Sequence, residues 1–383
     1  MQPTRNVHLV LDMTGTFGRD VAGGVCRYVR AARDWHVVVH DEAELDPRSL
    51  DGLPCDGILG FLSTKAMADY LDAAAVPRVN VSNRLATLPG PSVLNDDAAI
   101  GRLAGGHFIE RLFRHLAFYG PTEQRYALER STGLLEAVRQ AKAEYHEFAA
   151  GAEGEAAGGR GGNVEPLADW LGSLPRPVGV LGATDSLARE VLDACAAAGL
   201  RVPDDVAVLG VGNDEILCDL APVPLSSVSV AGPRIGHAAA ELLDALMAGK
   251  AAPTRPLRLA PGGVTARRSS DVLAVSDPEV SAAFRYIHEH ACEGLKVPAL
   301  LKAVPVERRL LDRRFVAATG RTVCQEIYRV RLEHARRLLA ETSLPVPDVS
   351  RQSGFREPNR FSSLFRQLIG ITPSDYRRQC CAR

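Results

Sequence analysis

Two short stretches of this chain carry side chains suited to reading a nucleic-acid groove. In the first, Glu307, Arg308, Arg309, Asp312 and Arg313 crowd one helical segment; in the second, Pro358, Asn359, Arg360 and Ser363 share the outward face of another. Arginine presents a planar fork that takes guanine O6 and N7 together and also pairs with phosphate. A carboxylate such as that of Glu307 can accept from cytosine N4 or simply cap its helix. Behind the second stretch, Phe361, Leu364, Phe365 and Leu368 fall at i, i+3, i+4 and i+7, which predicts one buried face of a short helix. A polar, basic face on a short helix after the Gly354 turn is what a major-groove reader needs. A charged run alone is ordinarily a solvated helix face. Repetition decides between the two, because a helix pair of the same shape occurs twice.

The elements that must hold these residues read as helices throughout. Phe284–Ala291 comes first, then Pro298–Val304 and Glu307–Ala317 as one pair, and Pro347–Ser353 and Pro358–Leu368 as the other. Between the pairs runs Gln325–Glu341, whose apolar residues (Ile327, Tyr328, Val330, Leu332, Leu338 and Leu339) cover a broad surface suited to packing on both sides. Two reading helices on a rigid connector can enter successive major grooves about 34 Å apart.

Charge supports the assignment. From Asp277 to the C-terminus there are 19 Lys and Arg against 12 Asp and Glu, whereas the remainder holds 26 against 34. The whole-chain net charge of -1 hides this asymmetry, which points to nucleic-acid contact by the tail alone. The 383 residues suffice for two or three domains, and 46% hydrophobic with 24% charged residues is ordinary globular composition. Eight scattered cysteines form no CxxC pair and have no His-x3-His companion, so no metal site or cofactor is expected. They fit a reducing cytosol. The N-terminus lacks a secretory apolar stretch and no run approaches a membrane span, so a cytoplasmic location without membrane contact is expected.

Up to about Val275 short apolar runs alternate with helical patterns, the mark of parallel α/β units. Val7–Leu11, Val37–Val39, Gly57–Leu62, Arg78–Val81, Leu116–Tyr119, Val178–Gly182 and Val206–Val211 read as buried strands, enough for more than one sheet. Gly18–Arg33, Asp97–Arg114, Thr184–Ala198 and Pro233–Met247 read as helices. The low-complexity stretch Ala149–Gly162 reads as a surface loop inside this region. Domains are placed at 1–273 and 279–383. There is no GxGxxG after the first strand, where Thr14–Gly18 stands instead, no P-loop and no catalytic constellation, so no enzyme is expected. His107, His115 and His237 are placed on helical stretches with structural roles.

The tail resembles an AraC-type DNA-binding domain over roughly residues 279 to 378. The resemblance rests on Glu307–Phe315, Thr319–Thr322, Ile327, Arg331, Ala335, Leu338 and Leu339, then Gly354–Phe355, Phe361–Ser362, Phe365, Gly370, Thr372–Pro373 and Tyr376–Arg377. It departs at Glu307, where the family more often has Ser. It implies base contacts from Arg309, Asp312 and Arg313, then Pro358, Asn359, Arg360 and Ser363. The α/β part is similar to the sensor of LacI-type repressors through Ala183–Asp185, Val202–Val206, Leu209–Glu215 and Leu225–Val228. The union of the two, with Phe118–Gly120 and Glu129–Arg130, resembles the xylose operon regulatory protein family. That resemblance implies a two-lobed, periplasmic-binding-protein-like α/β sensor joined to an all-α domain with two helix-turn-helix motifs.

Its expected partners are double-stranded DNA, a sugar effector, a second copy of the chain, and RNA polymerase for an activator. Such sensors hold the ligand between lobes, at strand ends. Candidate contacts are Phe17, Arg19, Asp96, Arg130, Asp185, Asn213 and Asp214. Each of these also suits capping or ion pairing at a loop. At Gly212 the family usually carries an Asp, so one bidentate hydroxyl acceptor is missing here. A non-sugar effector is the alternative, and a small-molecule-binding protein with a helical interaction tail is the rival from another class.

Overall fold

A computed structural model describes residues 4–31, 34–74, 76–88, 90–149, 164–275 and 277–381. Beyond Ala149, the stretch read as a surface loop lies outside the described residues.

The first lobe is built on a parallel sheet in the order β2-β1-β3-β4: β1 (Arg5–Leu11), β2 (Trp35–Asp41), β3 (Gly57–Gly60) and β4 (Arg78–Asn80). Helix α1 (Thr16–Arg30) packs against α8 (Gly232–Met247), returned from far along the chain, and α2 (Lys65–Ala74) covers the other face of the sheet, Met67 packing with Val10 and Ile58. The core joins Val7, Leu9 and Leu11 to Val21 and Val25 of α1 and Ile235, Ala239 and Leu243 of α8.

The second lobe has six strands in the order β12-β10-β9-β8-β6-β7. These are β6 (His115–Gly120), β7 (Glu144–Ala149), β8 (Val178–Gly182), β9 (Val206–Gly212), β10 (Ser226–Ser229) and β12 (Val264–Thr265), of which β12 alone runs antiparallel to its neighbour. Helices α3 (Asp97–Glu110), α4 (Arg125–Ala141), α5 (Val164–Ser173), α6 (Asp185–Ala197) and the short α7 (Glu215–Asp219) surround it. A parallel pair, β5 (Val93–Asn95) with β11 (Leu257–Leu259), lies where the chain passes between the lobes.

All seven expected strands form, and five more accompany them. β10 is polar in sequence yet Ser226 and Ser227 are fully buried, because Ser226 Oγ donates to the Arg267 carbonyl at 2.8 Å and Ser227 Oγ to Asp185 at 2.5 Å. Edge strand β7 alternates charged and aromatic residues, and β5, β11 and β12 are too short for a period to show. The helix expected to Arg114 ends at Glu110. Leu112, at φ +68°, turns the chain into β6, so His115 opens a strand rather than lying on a helix.

The tail is helical throughout: α9 (Pro278–His290), α10 (Val297–Ala303), α11 (Arg308–Thr319), α12 (Val323–Glu341), α13 (Val346–Gln352), α14 (Pro358–Ile369) and α15 (Pro373–Cys381). A capping box starts α12: Gln325 N donates to Thr322 Oγ1 at 3.2 Å, and Thr322 N donates to Gln325 Oε1 at 2.8 Å. One end of α12 gives Val323 and Ile327 to a core with Phe284, Leu300, Leu311 and Phe315. The other gives Leu332, Ala335 and Leu339 to a core with Val349, Phe361 and Phe365. The connector therefore belongs to both helix pairs, as its broad apolar surface requires. Leu368, expected in the second core, is instead 56% exposed; α14 packs through Phe361 and Phe365, with Leu364 and Ile369 partly buried beside them.

The domains meet closely. Leu273, placed by sequence at the end of the sensor, packs in the core of the first helix pair, as does Leu112 of the second lobe. Arg329 of α12 joins Glu110 of α3 at 3.1 Å, and Ala274 N donates to the Arg111 carbonyl at 2.9 Å.

Candidate functional site

The ends of β1, β2, β3 and β4 present Asp12, Glu42, Ser63 and Asn83 along the carboxyl edge of the first sheet, the edge where open α/β sheets place ligands. Opposite them stand the starts of α4, α6 and α7 from the second lobe. Phe17, in the first turn of α1, stacks on Phe61 at 5.7 Å with planes 9° apart. Arg19 lies beside it, donating to the carbonyls of Met13 and Thr14 and reaching to 4.0 Å from Asp214. Thr16 donates to Asp214 across the same gap. Asp214 is thus a latch between lobes as well as the N-cap of α7, which it holds through Leu217 N at 3.1 Å.

Asp185 lies behind Asp214, buried, accepting from Asp214 N at 2.9 Å and from Ser227 Oγ. Burial raises its pKa, and the Ser227 hydrogen bond opposes that. Gly212 and Asn213 both have positive φ, at 135° and 57°. A Cβ on Gly212 would sit 2.9 Å from Asp185 Oδ2, so the glycine permits this close approach. The Asn213 side chain is held by Arg267, which donates to its Oδ1 at 2.9 Å and pairs with Asp219 at 2.8 Å.

Two predicted contacts lie further back, Asp96 beside the strands that join the lobes and Arg130 on α4. Arg130 is buried, pairing with Asp97 at 2.8 Å, donating to the Ala183 carbonyl and covering the Tyr126 ring. Asp96 caps α3 through Ala99 N at 2.9 Å. Phe17, Arg19 and Asp214 therefore gather at one mouth of the cleft with Asn213 and Asp185 close behind; Arg130 adjoins the cleft through Asp97, which also accepts from Asn83, while Asp96 lies by the joining strands.

Sequence reasoning missed the polar groups of the cleft itself. Asn83 Nδ2 donates to Asp97 at 2.8 Å and to Glu129 at 3.0 Å. Arg258 of β11 pairs with Glu129 at 2.7 Å, which ties the lobes together from the side. Four buried oxygens, Glu42 Oε1, Ser63 Oγ, Asn83 Oδ1 and Gln124 Oε1, have no hydrogen-bond partner among the described residues. Burial pushes the Glu42 carboxyl up to about 7, against the charge of Arg84 and with that of Asp12. Asp12 goes the other way: burial alone would raise it, but hydrogen bonds from Thr14 and Gly15 outweigh that and hold it low. Position after a strand end is the sequence signal for Glu42, Ser63 and Asn83, and position at a helix start for Gln124.

On the tail, Arg308, Arg309, Arg313, Pro358, Asn359, Arg360 and Ser363 are all exposed, with Asp312 half-buried 3.9 Å from Arg308. Glu307 caps α11, accepting from Arg309 N at 3.0 Å and Leu310 N at 2.9 Å. Arg360 also donates to Tyr328 Oη at 3.0 Å. Lys296 and Arg356, which the motifs do not include, line the groove between the two reading helices together with Arg308 and Arg360. Their position before a helix start was the available clue. Arg331 is buried and donates to the carbonyls of Ala291 and Leu295 at 2.8 Å each, pinning the turn before α10.

Comparison with known proteins agrees with this geometry. A periplasmic binding protein-like domain matches residues 106–270 and a helix-turn-helix domain matches 300–379. The chain is a DNA-binding transcription regulator with a ligand sensor, and not an enzyme. It is 31% identical over 383 residues to the xylose operon regulatory protein of Escherichia coli (strain K12), covering 97% of this chain and 96% of that one. To the Haemophilus influenzae protein of the same name it is 27% identical, over 98% of each chain. It belongs to the xylose operon regulatory protein family. A solved structure of the xylose-binding transcription activator xylR superposes with a TM-score of 0.62 at 30% identity, covering 98% of each chain. A LacI family regulator from Mycobacterium smegmatis shares the sensor fold, with a TM-score of 0.58 over 69% of this chain and 98% of its own. Among the described residues no helix is long and apolar enough to cross a membrane.

Proposed function

We propose that the effector of this regulator is a small polyhydroxy molecule of the pentose class, xylose included, bound between the lobes. The observation that carries the reading is the set of buried, unpartnered oxygens from Glu42, Ser63, Asn83 and Gln124 beside the Phe17–Phe61 stack. Hydroxyl groups supply both donors and acceptors to such oxygens, and an aromatic face packs on a sugar ring. Phe17, Arg19, Asn213 and Asp214 then form one wall, and ligand closure strengthens the bridge from Thr16 and Arg19 to Asp214. The family relatives named for xylose support the class of ligand. Gly212 favours a second reading, in which the effector is a different small molecule, because the carboxylate usual at that place is missing.

The output is proposed to be a homodimer in which each tail enters two successive major grooves. Arg309, Asp312, Arg313, Pro358, Asn359, Arg360 and Ser363 would face bases, while Arg308 lies against the backbone. The work is done in the cytoplasm and, for an activator, beside RNA polymerase. A ligand shifts DNA affinity only by its differential affinity for the two sensor arrangements.

Thermal-shift titration with D-xylose, L-arabinose, D-ribose and D-glucose tests the effector. A ligand at a hundred times its Kd adds about 2.7 kcal/mol of stability, so one pentose is expected to raise Tm clearly. No shift with any of the sugars overturns the pentose reading in favour of the second.

A further inference from the structure

A set of histidine and glutamate side chains on the second sheet belongs neither to the cleft nor to the DNA surface. His115 opens β6, and Glu144 and His146 lie on the edge strand β7. The parallel register sets His115 beside Glu144 and Ala117 beside His146. Alternation along a strand then puts all three on one face, the face on which Phe148 meets Trp170 of α5. Their ligand atoms lie within 4.8 Å of one another.

His115 Nδ1 is 3.3 Å from Glu144 Oε2, yet it makes no hydrogen bond, and neither does Nε2 of His146. Both nitrogens are shielded from solvent. Shielded polar atoms in folded proteins are nearly always paired, so two imidazole nitrogens converging on a carboxylate without partners call for one.

We propose that His115, Glu144 and His146 form a binding site for one divalent transition-metal ion, with zinc the best match. Two imidazoles and a carboxylate are the donor set that such ions prefer, whereas calcium and magnesium take oxygen. Ligand atoms around tetrahedral zinc sit about 3.3 Å apart, given metal–ligand distances of about 2.0–2.2 Å. The Glu144 side chain is 69% exposed and free to swing onto the ion, leaving the remaining position to water. A bound ion would fasten edge strand β7 to β6, close to the Arg111–Leu112 turn that meets the helical domain.

The test uses the full chain, purified without a histidine tag and stripped with chelator. Zinc chloride is titrated by calorimetry, and cobalt(II) binding is followed by its visible spectrum. One ion per chain is expected, with affinity at least tenfold weaker in Glu144→Gln and lost in His115→Gln/His146→Gln. The cobalt complex should lack the near-ultraviolet thiolate band. Unchanged stoichiometry and affinity in the double variant, or a strong thiolate band, overturns the site. Glu144→Gln changes an exposed residue and keeps the test decisive where the double variant fails to fold; wild-type affinity in it also overturns the proposal.

Discussion

Glu42 shows how much a single residue in the cleft can reveal. Its carboxyl is pushed up to about 7 from an ordinary 4.5, mainly by burial, so the folded protein holds it protonated where the unfolded chain would ionise it. The native state then binds the extra proton between those two values, and stability falls as pH rises through that window. The contribution is complete below about pH 4.5 and gone above about pH 7. Melting curves from pH 5 to pH 7.5 should show Tm declining more steeply in the wild type than in Glu42→Gln, which keeps the neutral shape. Parallel curves would mean that the carboxyl is already ionised in the fold. The residues Phe17, Arg19, Asn213 and Asp214 were legible in the sequence because they lie where a helix starts just after a strand. Glu42, Ser63, Asn83 and Gln124 were not, because only the meeting of three strand ends and a helix start makes them neighbours. Arg130 and Asp185 look like ligand contacts by chemistry, but their charges are taken up by Asp97 and by Ser227 with the Asp214 amide.

Helix α12 carries the DNA module at the scale of elements. Glu326 is buried on it, accepting from Arg329 at 2.7 Å and from His288 of α9 at 3.2 Å. Burial alone would raise its pKa, but hydrogen bonds from His288 and Arg329 and the Arg329 charge hold it well below the usual carboxylate range. Removing one partner of a buried pair strands the other charge, at a cost of about 3–5 kcal/mol. Chemical denaturation should show Glu326→Ala losing that much. Glu333→Ala, which removes a half-exposed partner of the same Arg329, should lose about 1 kcal/mol or less. Equal losses would contradict a buried network centred on Glu326. The helices here were readable from their period, and the twofold use of α12 from its apolar breadth. Strands β7 and β10 were not, because one is a charged edge and the other buries serines whose hydroxyls are satisfied only by the folded neighbours. The metal-binding set escaped for the same reason: no spacing announces ligands that a strand register brings together.

At the scale of the whole molecule, the sensor can instruct the DNA module only through surfaces that both share. Those surfaces include the packing of Leu112 and Leu273 into the first helical core, the Ala274–Arg111 backbone bond, the His288–Asp271 contact at 3.3 Å, the Arg285–Asp204 pair at 3.6 Å, and the Arg329–Glu110 pair. The apolar contacts hold the domains together in any state, whereas the Arg329–Glu110 pair is directional and partly exposed, and so is sensitive to a small rotation of the lobe. If effector and DNA are linked, each changes the affinity of the other by the same factor, ordinarily about 5–150-fold. In Glu110→Arg the pair becomes a repulsion, while the cleft and both reading helices keep their own residues. The expected outcome is near-normal affinity for effector alone and for DNA alone, with the coupling factor reduced several-fold. Fluorescence anisotropy of labelled operator DNA with and without effector measures one leg of the cycle, and calorimetry of effector with and without DNA measures the other. The two factors must agree with each other in both proteins. A wild-type factor retained in Glu110→Arg would show that the signal crosses through the other shared contacts instead.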